Sequence, residues 1–273
     1  MTFARKLTLA QENKRSLLCI GLDPDLPKLP DALRRSHTPA EAIVAFNAAI
    51  IEATKPYASA YKINFAFYEA FGAAGWEALE KTRRLLPDDT IAIADAKRGD
   101  IGNSAQFYAR SVFEDLGFDA CTVSPYMGGD SVEPFLQFPG KAIFILARTS
   151  NPGGADLQEL EVDGEKLYLR TARLASQWDG RWPGEAGLVV GASDAGPVRA
   201  IREACPSLPF LIPGIGAQGG DARSILQAAG TGYGLNLVNS SRNILFASSG
   251  ADFAEASAQA ALRQRDELNA VIA

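Results

Sequence analysis

Short apolar runs recur along this chain at intervals that each leave room for one helix, and that rhythm is its tightest constraint on fold. Eight runs read as strands: 17–22, 58–63, 91–95, 120–123, 142–146, 187–191, 209–213 and 235–238. Helical segments fall between them. Thr38 reads as an N-cap with Pro39 at the first helical position, opening a helix that runs to about residue 55. Residues 66–86 read as mostly helical, broken around Gly72 and Gly75, and 103–116 as a helix stopped by Gly117. Further helices are expected over 130–138, 166–178, 197–204, 221–229 and 251 to about 270. Strands alternating with helices imply βαβ units and a parallel sheet. Eight units predict a (β/α)₈ TIM barrel, with a doubly wound sheet as the alternative. No Pro/Ser-rich linker divides the chain, so residues 1–273 are expected to form a single barrel domain.

With 47% hydrophobic and 22% charged residues, the chain can bury a sizeable core. The net charge is −5 and no basic stripe marks a nucleic-acid surface. Nothing approaches the roughly 18 uninterrupted apolar residues of a membrane span. Residues 1–16 are mixed polar with no signal-peptide core, so a cytoplasmic location is expected. Cys19, Cys121 and Cys205 are widely spaced, in or beside apolar runs, and read as core thiols. His37 is the single histidine, so no histidine pair exists for a zinc site, and no metal is expected.

The apolar run 90–94 leads into Asp95-Ala-Lys97-Arg-Gly99-Asp100. Side chains on a strand alternate between faces, so Asp95 and Lys97 point the same way. Asp100 follows Gly99, where the chain can turn sharply. The expected result is Lys97 held between two carboxylates at the mouth of a strand, protonated and able to donate its proton.

In a barrel of this type the active site lies at the C-terminal ends of the strands. Other polar residues fall there too. Asp23 follows strand one, Lys62 ends strand two, and Thr122 and Ser124 lie at strand four. Thr149, Ser150 and Asn151 follow strand five, Gln218 follows strand seven, and Arg242 follows strand eight. Residues 213–220, PGIGAQGG, contain the G-x-G-x-x-G pattern of dinucleotide sites. The acidic residue expected about 20 positions later to hold the ribose is missing, because 222–251 contains no Asp or Glu. A single phosphate held by backbone N–H groups at a helix N-terminus, with Arg242 balancing its charge, is the better reading.

These blocks resemble a known family. Asp95-Ala-Lys97-Arg-Gly-Asp100-Ile101, Tyr61-Lys62-Ile63-Asn64, Thr149-Ser150-Asn151-Pro152-Gly153 and the 213–219 loop are similar, in order, to orotidine 5′-phosphate decarboxylases, in particular the longer bacterial (type 2) subgroup. The resemblance covers about residues 17–246. It implies cofactor-free conversion of orotidine 5′-phosphate to UMP and CO₂ in pyrimidine synthesis. It also implies a charged tetrad of Lys62, Asp95, Lys97 and Asp100, with Lys97 as proton donor. Asp100 would come from the neighbouring subunit of a homodimer. Asp23 and Lys62 resemble ribose contacts, as does Ser104, where the family usually has Thr. Ser150 resembles the pyrimidine contact, and Gln218 and Arg242 the phosphate ligands. The region 156–182 is longer than in compact members and has no role assigned by the resemblance.

Two other readings stay open at this level. One is a metal-dependent phosphosugar decarboxylase or aldolase on the same barrel, which can share an Asp-x-Lys-x-x-Asp core. The other is a non-catalytic binder of a phosphate ligand, since fold alone does not decide function.

Overall fold

Eight parallel strands close on themselves in sequence order. They are β1 (Leu18–Gly21), β2 (Ala60–Asn64), β3 (Ile91–Arg98), β4 (Ala120–Val123), β5 (Ala142–Arg148), β6 (Glu185–Val190), β7 (Phe210–Pro213) and β8 (Asn236–Ser240). Closure is made by β8 against β1, with Leu18 opposite Val238. This is the expected (β/α)₈ TIM barrel, and closure sets aside the doubly wound alternative. The structure is a computed structural model that describes residues 1–214 and 222–272.

The barrel buries both faces of its strands, and the two-residue period sorts the side chains. Cys19, Ala60, Ile91, Ile93, Ala120, Phe144, Val189, Leu211 and Leu237 pack inside the barrel. Their neighbours Leu18, Ile20, Tyr61, Ala92, Cys121, Ile143, Leu188 and Val238 pack outward under the helices. The same parity, carried up each strand, sends the residues after the inner apolar layers to the barrel mouth. Asp23 follows Cys19 at a spacing of four, Lys62 follows Ala60 at two, and Asp95 follows Ile93 at two.

Helix Pro39–Thr54 starts as expected, with a reciprocal Thr38–Glu41 capping box and Pro39 in its first turn. The expected break in 66–86 separates Ala66–Glu69 from Gly72–Arg84. Gly72 has φ +60°, and a Cβ on Gly75 would lie 1.8 Å from the Tyr68 carbonyl oxygen. Helix Gly102–Arg110 continues into a π-helical turn, Ser111–Asp115. All three cysteines are buried and unpaired. Among the described residues, no helix is long and apolar enough to cross a membrane.

The longest helix that was not expected lies at the N-terminus. Phe3–Lys14 caps the N-terminal end of the barrel, with Phe3, Leu7 and Ala10 joining the inner cluster. Phe3 meets Phe144 edge-on at 6.1 Å between ring centroids. Burying Phe3 and Leu7 contributes roughly 1.5–3 kcal/mol each. Polar ties fix the helix as well. The Phe3 and Ala4 N–H groups donate to the Glu185 carboxylate, and Lys6 pairs with Asp119 at 2.6 Å. Ahead of the helix expected from 166, which begins at Leu167, a short hairpin pairs Glu161–Val162 with Glu165–Lys166.

Candidate active site

Inward parity and barrel closure together build a chain of charge across the mouth. The Lys62 ammonium lies 2.9 Å from Asp95 Oδ2 and 3.4 Å from Asp23 Oδ1. The Lys97 ammonium lies 2.7 Å from Asp95 Oδ1. Ser241 Oγ donates to Asp23 Oδ2 at 2.7 Å, and Thr122 Oγ1 donates to Asp95 Oδ1 at 2.9 Å. A Cβ on Gly21 would lie 2.0 Å from Ser241 Oγ and would displace the hydroxyl that donates to Asp23.

The charges sustain each other. Burial alone would push Lys62 down, but Asp23 and Asp95 beside it outweigh that and hold it above the ordinary lysine range. Burial would likewise push Asp95 up, but Lys62 and Lys97 hold it well below the usual carboxylate range. Both are therefore ionised at neutral pH. Cys19, inside the barrel below them, is pushed up to about 12 by burial and is an inert core thiol.

Within one chain the lysine flanked by two carboxylates is thus Lys62, not Lys97. Among the described residues Lys97 pairs with Asp95 alone, and its side chain is 51% exposed at the open end of the site. The expectation that Asp100 would flank it within one chain does not hold. Asp100 makes no ion pair with Lys97; its Oδ1 accepts the N–H of Ile101 at 2.8 Å. Asp100 and Ser104 line a separate surface hollow with Phe65, Trp76, Arg98, Phe107 and Tyr108. Ile101 and Phe107 are exposed beside it, at 52% and 61%. The physical reason lies in the backbone. Between Ala94 and Arg98, β3 slips register against β4, and Lys97 takes φ +45°. The chain therefore leaves the strand direction before it reaches Asp100.

A cleft of about 660 Å³ opens from Asp23 toward Ser150, Gly214 and Arg242. It also takes in Asn239 and Ser241, whose part at the site was not anticipated. Their signal was parity, since Asn239 shares the inward face of β8 with Leu237 and Ser241 follows at the same two-residue step just past the strand. Arg242 opens the short helix Arg242–Leu245 directly after β8. Gln218 and the rest of 215–221 lie outside the described residues.

Ser150 follows β5 in a turn that is braced twice. A Cβ on Gly191 would lie 2.7 Å from the Ser150 backbone nitrogen, so glycine is needed for β6 to end against this turn. Gln158 Oε1 accepts the Thr149 N–H at 2.9 Å, while its Nε2 donates to Thr149 Oγ1 at 2.8 Å. That tie gives the start of the 156–182 region a structural task, holding the residue next to Ser150.

The chain was compared with known proteins. The model of the Orotidine 5′-phosphate decarboxylase / HUMPS family matches residues 16–257. An orotidine 5′-phosphate decarboxylase from Herpetosiphon aurantiacus is 50% identical over 272 residues, covering 98% of this chain and 99% of that one. One from Dehalococcoides mccartyi is 47% identical over 274 residues, covering 98% of each. The solved structure of Leishmania donovani OMP decarboxylase superposes with a TM-score of 0.84 at 40% identity, covering 100% of this chain and 99% of that one. With the family model spanning most of the barrel and relatives this similar along nearly their whole length, the chain belongs to the orotidine 5′-phosphate decarboxylase family.

Proposed function

We propose that the charged chain Asp23–Lys62–Asp95–Lys97 is the catalytic centre for the reaction that family membership assigns, decarboxylation of orotidine 5′-phosphate to UMP and CO₂. The observation that carries this reading is the buried Lys62–Asp95 pair with the half-exposed Lys97 ammonium on its open side. When the C6 carboxylate leaves as CO₂, the bonding electron pair stays on C6. Lys97 stabilises that developing charge and then transfers a proton from Nζ to C6. At about 4 Å and an effective dielectric near 20, one such pairing is worth on the order of 4 kcal/mol. The proton comes from the protein and the electrons from the broken bond, so the step as written calls for no cofactor. Asp95 faces the departing carboxylate, and their repulsion is relieved as CO₂ leaves.

Remote contacts hold the substrate against that repulsion. Asp23 and Lys62 contact the ribose, Ser150 the pyrimidine, and Arg242 with Gln218 the phosphate. The shared cleft at Asp23, Ser150 and Arg242 supports this division. Asp100 and Ser104 act in the neighbour's site in a homodimer. Their separation from Lys97, beside exposed Ile101 and Phe107, supports that exchange. Placement in the longer bacterial subgroup rests on the sequence blocks 61–64, 95–101, 149–153 and 213–219. Three buried, unpaired thiols fit a cytoplasmic protein.

The test is the purified chain with orotidine 5′-phosphate and EDTA, followed by the ultraviolet change and by UMP formation. Turnover in chelator is expected. A requirement for added magnesium would favour the phosphosugar decarboxylase or aldolase reading. Tight UMP binding without turnover would favour a non-catalytic binder.

A further inference from the structure

Thr122 is the penultimate residue of β4, with 1% of its surface exposed, and its hydroxyl bridges two parts of the charged centre. It accepts the backbone N–H of Lys97 at 3.0 Å and donates to Asp95 Oδ1 at 2.9 Å. The same carboxylate oxygen receives the Lys97 ammonium at 2.7 Å. The backbone explains why such a bridge is needed. Ala94 pairs with Cys121, and Arg98 with Val123, so four steps along β3 match two along β4. Lys97 sits in that bulge at φ +45°, a conformation that side-chain-bearing residues adopt only when the surroundings hold them there. Its N–H finds the Thr122 oxygen as its acceptor.

We infer that Thr122 is a positioning residue for the decarboxylation, holding the bulge that presents Lys97 and aiming Asp95 at the Lys97 ammonium. This rests on the reading of Lys97 as proton donor. One hydroxyl ties the backbone of that lysine to the carboxylate that pairs its side chain. The Lys97 side chain is half exposed, and among the described residues Thr122 is the group that ties its backbone to the carboxylate holding its ammonium. Valine would fill the same space but can neither accept the Lys97 N–H nor donate to Asp95. Serine keeps both hydrogen bonds and loses only a methyl group.

The test compares Thr122→Val and Thr122→Ser in kcat and KM for orotidine 5′-phosphate and in Kd for UMP. Loss of hydrogen bonds to a charged group should lower kcat of Thr122→Val on the order of tenfold to a hundredfold. UMP affinity and KM should stay within about threefold, since ground-state binding is not what the hydroxyl serves. Thr122→Ser should recover most of the lost kcat. If Thr122→Val does not fold, Thr122→Ala carries the same comparison. An unchanged kcat in the valine variant, equal losses in the serine and valine variants, or a matching loss of UMP affinity would overturn the inference. Lys97→Ala, alone and combined with Thr122→Val, separates the two layers. Full turnover in Lys97→Ala overturns the donor reading. An inactive Lys97→Ala beside a fully active Thr122→Val overturns the Thr122 inference alone.

Discussion

Replacing Lys62 with methionine removes the cation that faces both Asp23 and Asp95 and leaves its side-chain volume nearly unchanged. The two contacts, at 2.9 and 3.4 Å, come from a side chain that is only 6% exposed. At an effective dielectric near 20, each is worth on the order of 5 kcal/mol before the cost of burying the charges. After that cost, breaking a buried pair by removing one partner destabilises by about 3–5 kcal/mol, because it leaves charge uncompensated. For a chain of this size that corresponds to a fall in Tm of about 5–15 °C. The effect has a pH signature. Asp95 is held below the ordinary carboxylate range, so its pairing contributes stability above about pH 4 and loses it as pH falls through the folded value. Lys62 is held above its ordinary range, so its contribution is full below about pH 10 and is lost as pH rises through the folded value. At neutral pH both contributions are complete. In Lys62→Met, Asp95 keeps only Lys97, its carboxyl moves up, and protonation relieves the variant while the wild type is still ionised. Thermal unfolding of both proteins from about pH 7 down to about pH 4.5 should therefore show a gap that narrows with acidity. A gap under about one degree, or one independent of pH, would refute the electrostatic account of the centre.

Two further outcomes concern the chemistry. Lys97→Ala should leave the fold intact, since an ion pair with a half-exposed partner contributes little, yet bring UMP formation to the detection limit at saturating substrate; both are read by thermal unfolding and product assay. Arg242→Ala should weaken UMP binding by roughly 2–5 kcal/mol while leaving uridine binding nearly unchanged, as read by calorimetry, because only UMP carries the phosphate.

Much of the barrel could be read before the structure, because both faces of its strands are buried and the strands stand out as apolar runs between helical segments. Parity then placed Asp95 and Lys97 on one face, and the structure finds them paired. Local reading failed where the cause was non-local or where the backbone left regular geometry. Asp23 reaches Lys62 because β1 pairs with β2, a contact between residues 39 apart. Asp100 was expected beside Lys97 from spacing alone, but the bulge at Lys97 ends the alternation that spacing assumes. Helix Phe3–Lys14 was missed because its buried face is narrow, Phe3, Leu7, Ala10 and Gln11 among charged neighbours. That stripe follows helical spacing, but it lacks the breadth of an ordinary core-facing helix. The Gln158 brace on Thr149 could not be read at all, since it depends on a turn folding back over nine residues.

The central claim is that Lys97 of one chain works with Asp100 of its partner. The measurement that tests it most directly mixes Lys97→Ala and Asp100→Ala homodimers, each nearly inactive alone, and follows orotidine 5′-phosphate turnover as subunits exchange. A mixed dimer has one site with both lesions and one intact site, built from Lys97 of one chain and Asp100 of the other. Random exchange at equal concentration makes about half the dimers mixed, so turnover should rise to roughly a quarter of the wild-type value. If Asp100 served its own chain, every site would keep a lesion. No recovery, with mixed dimers demonstrated by mass spectrometry, would contradict the shared site.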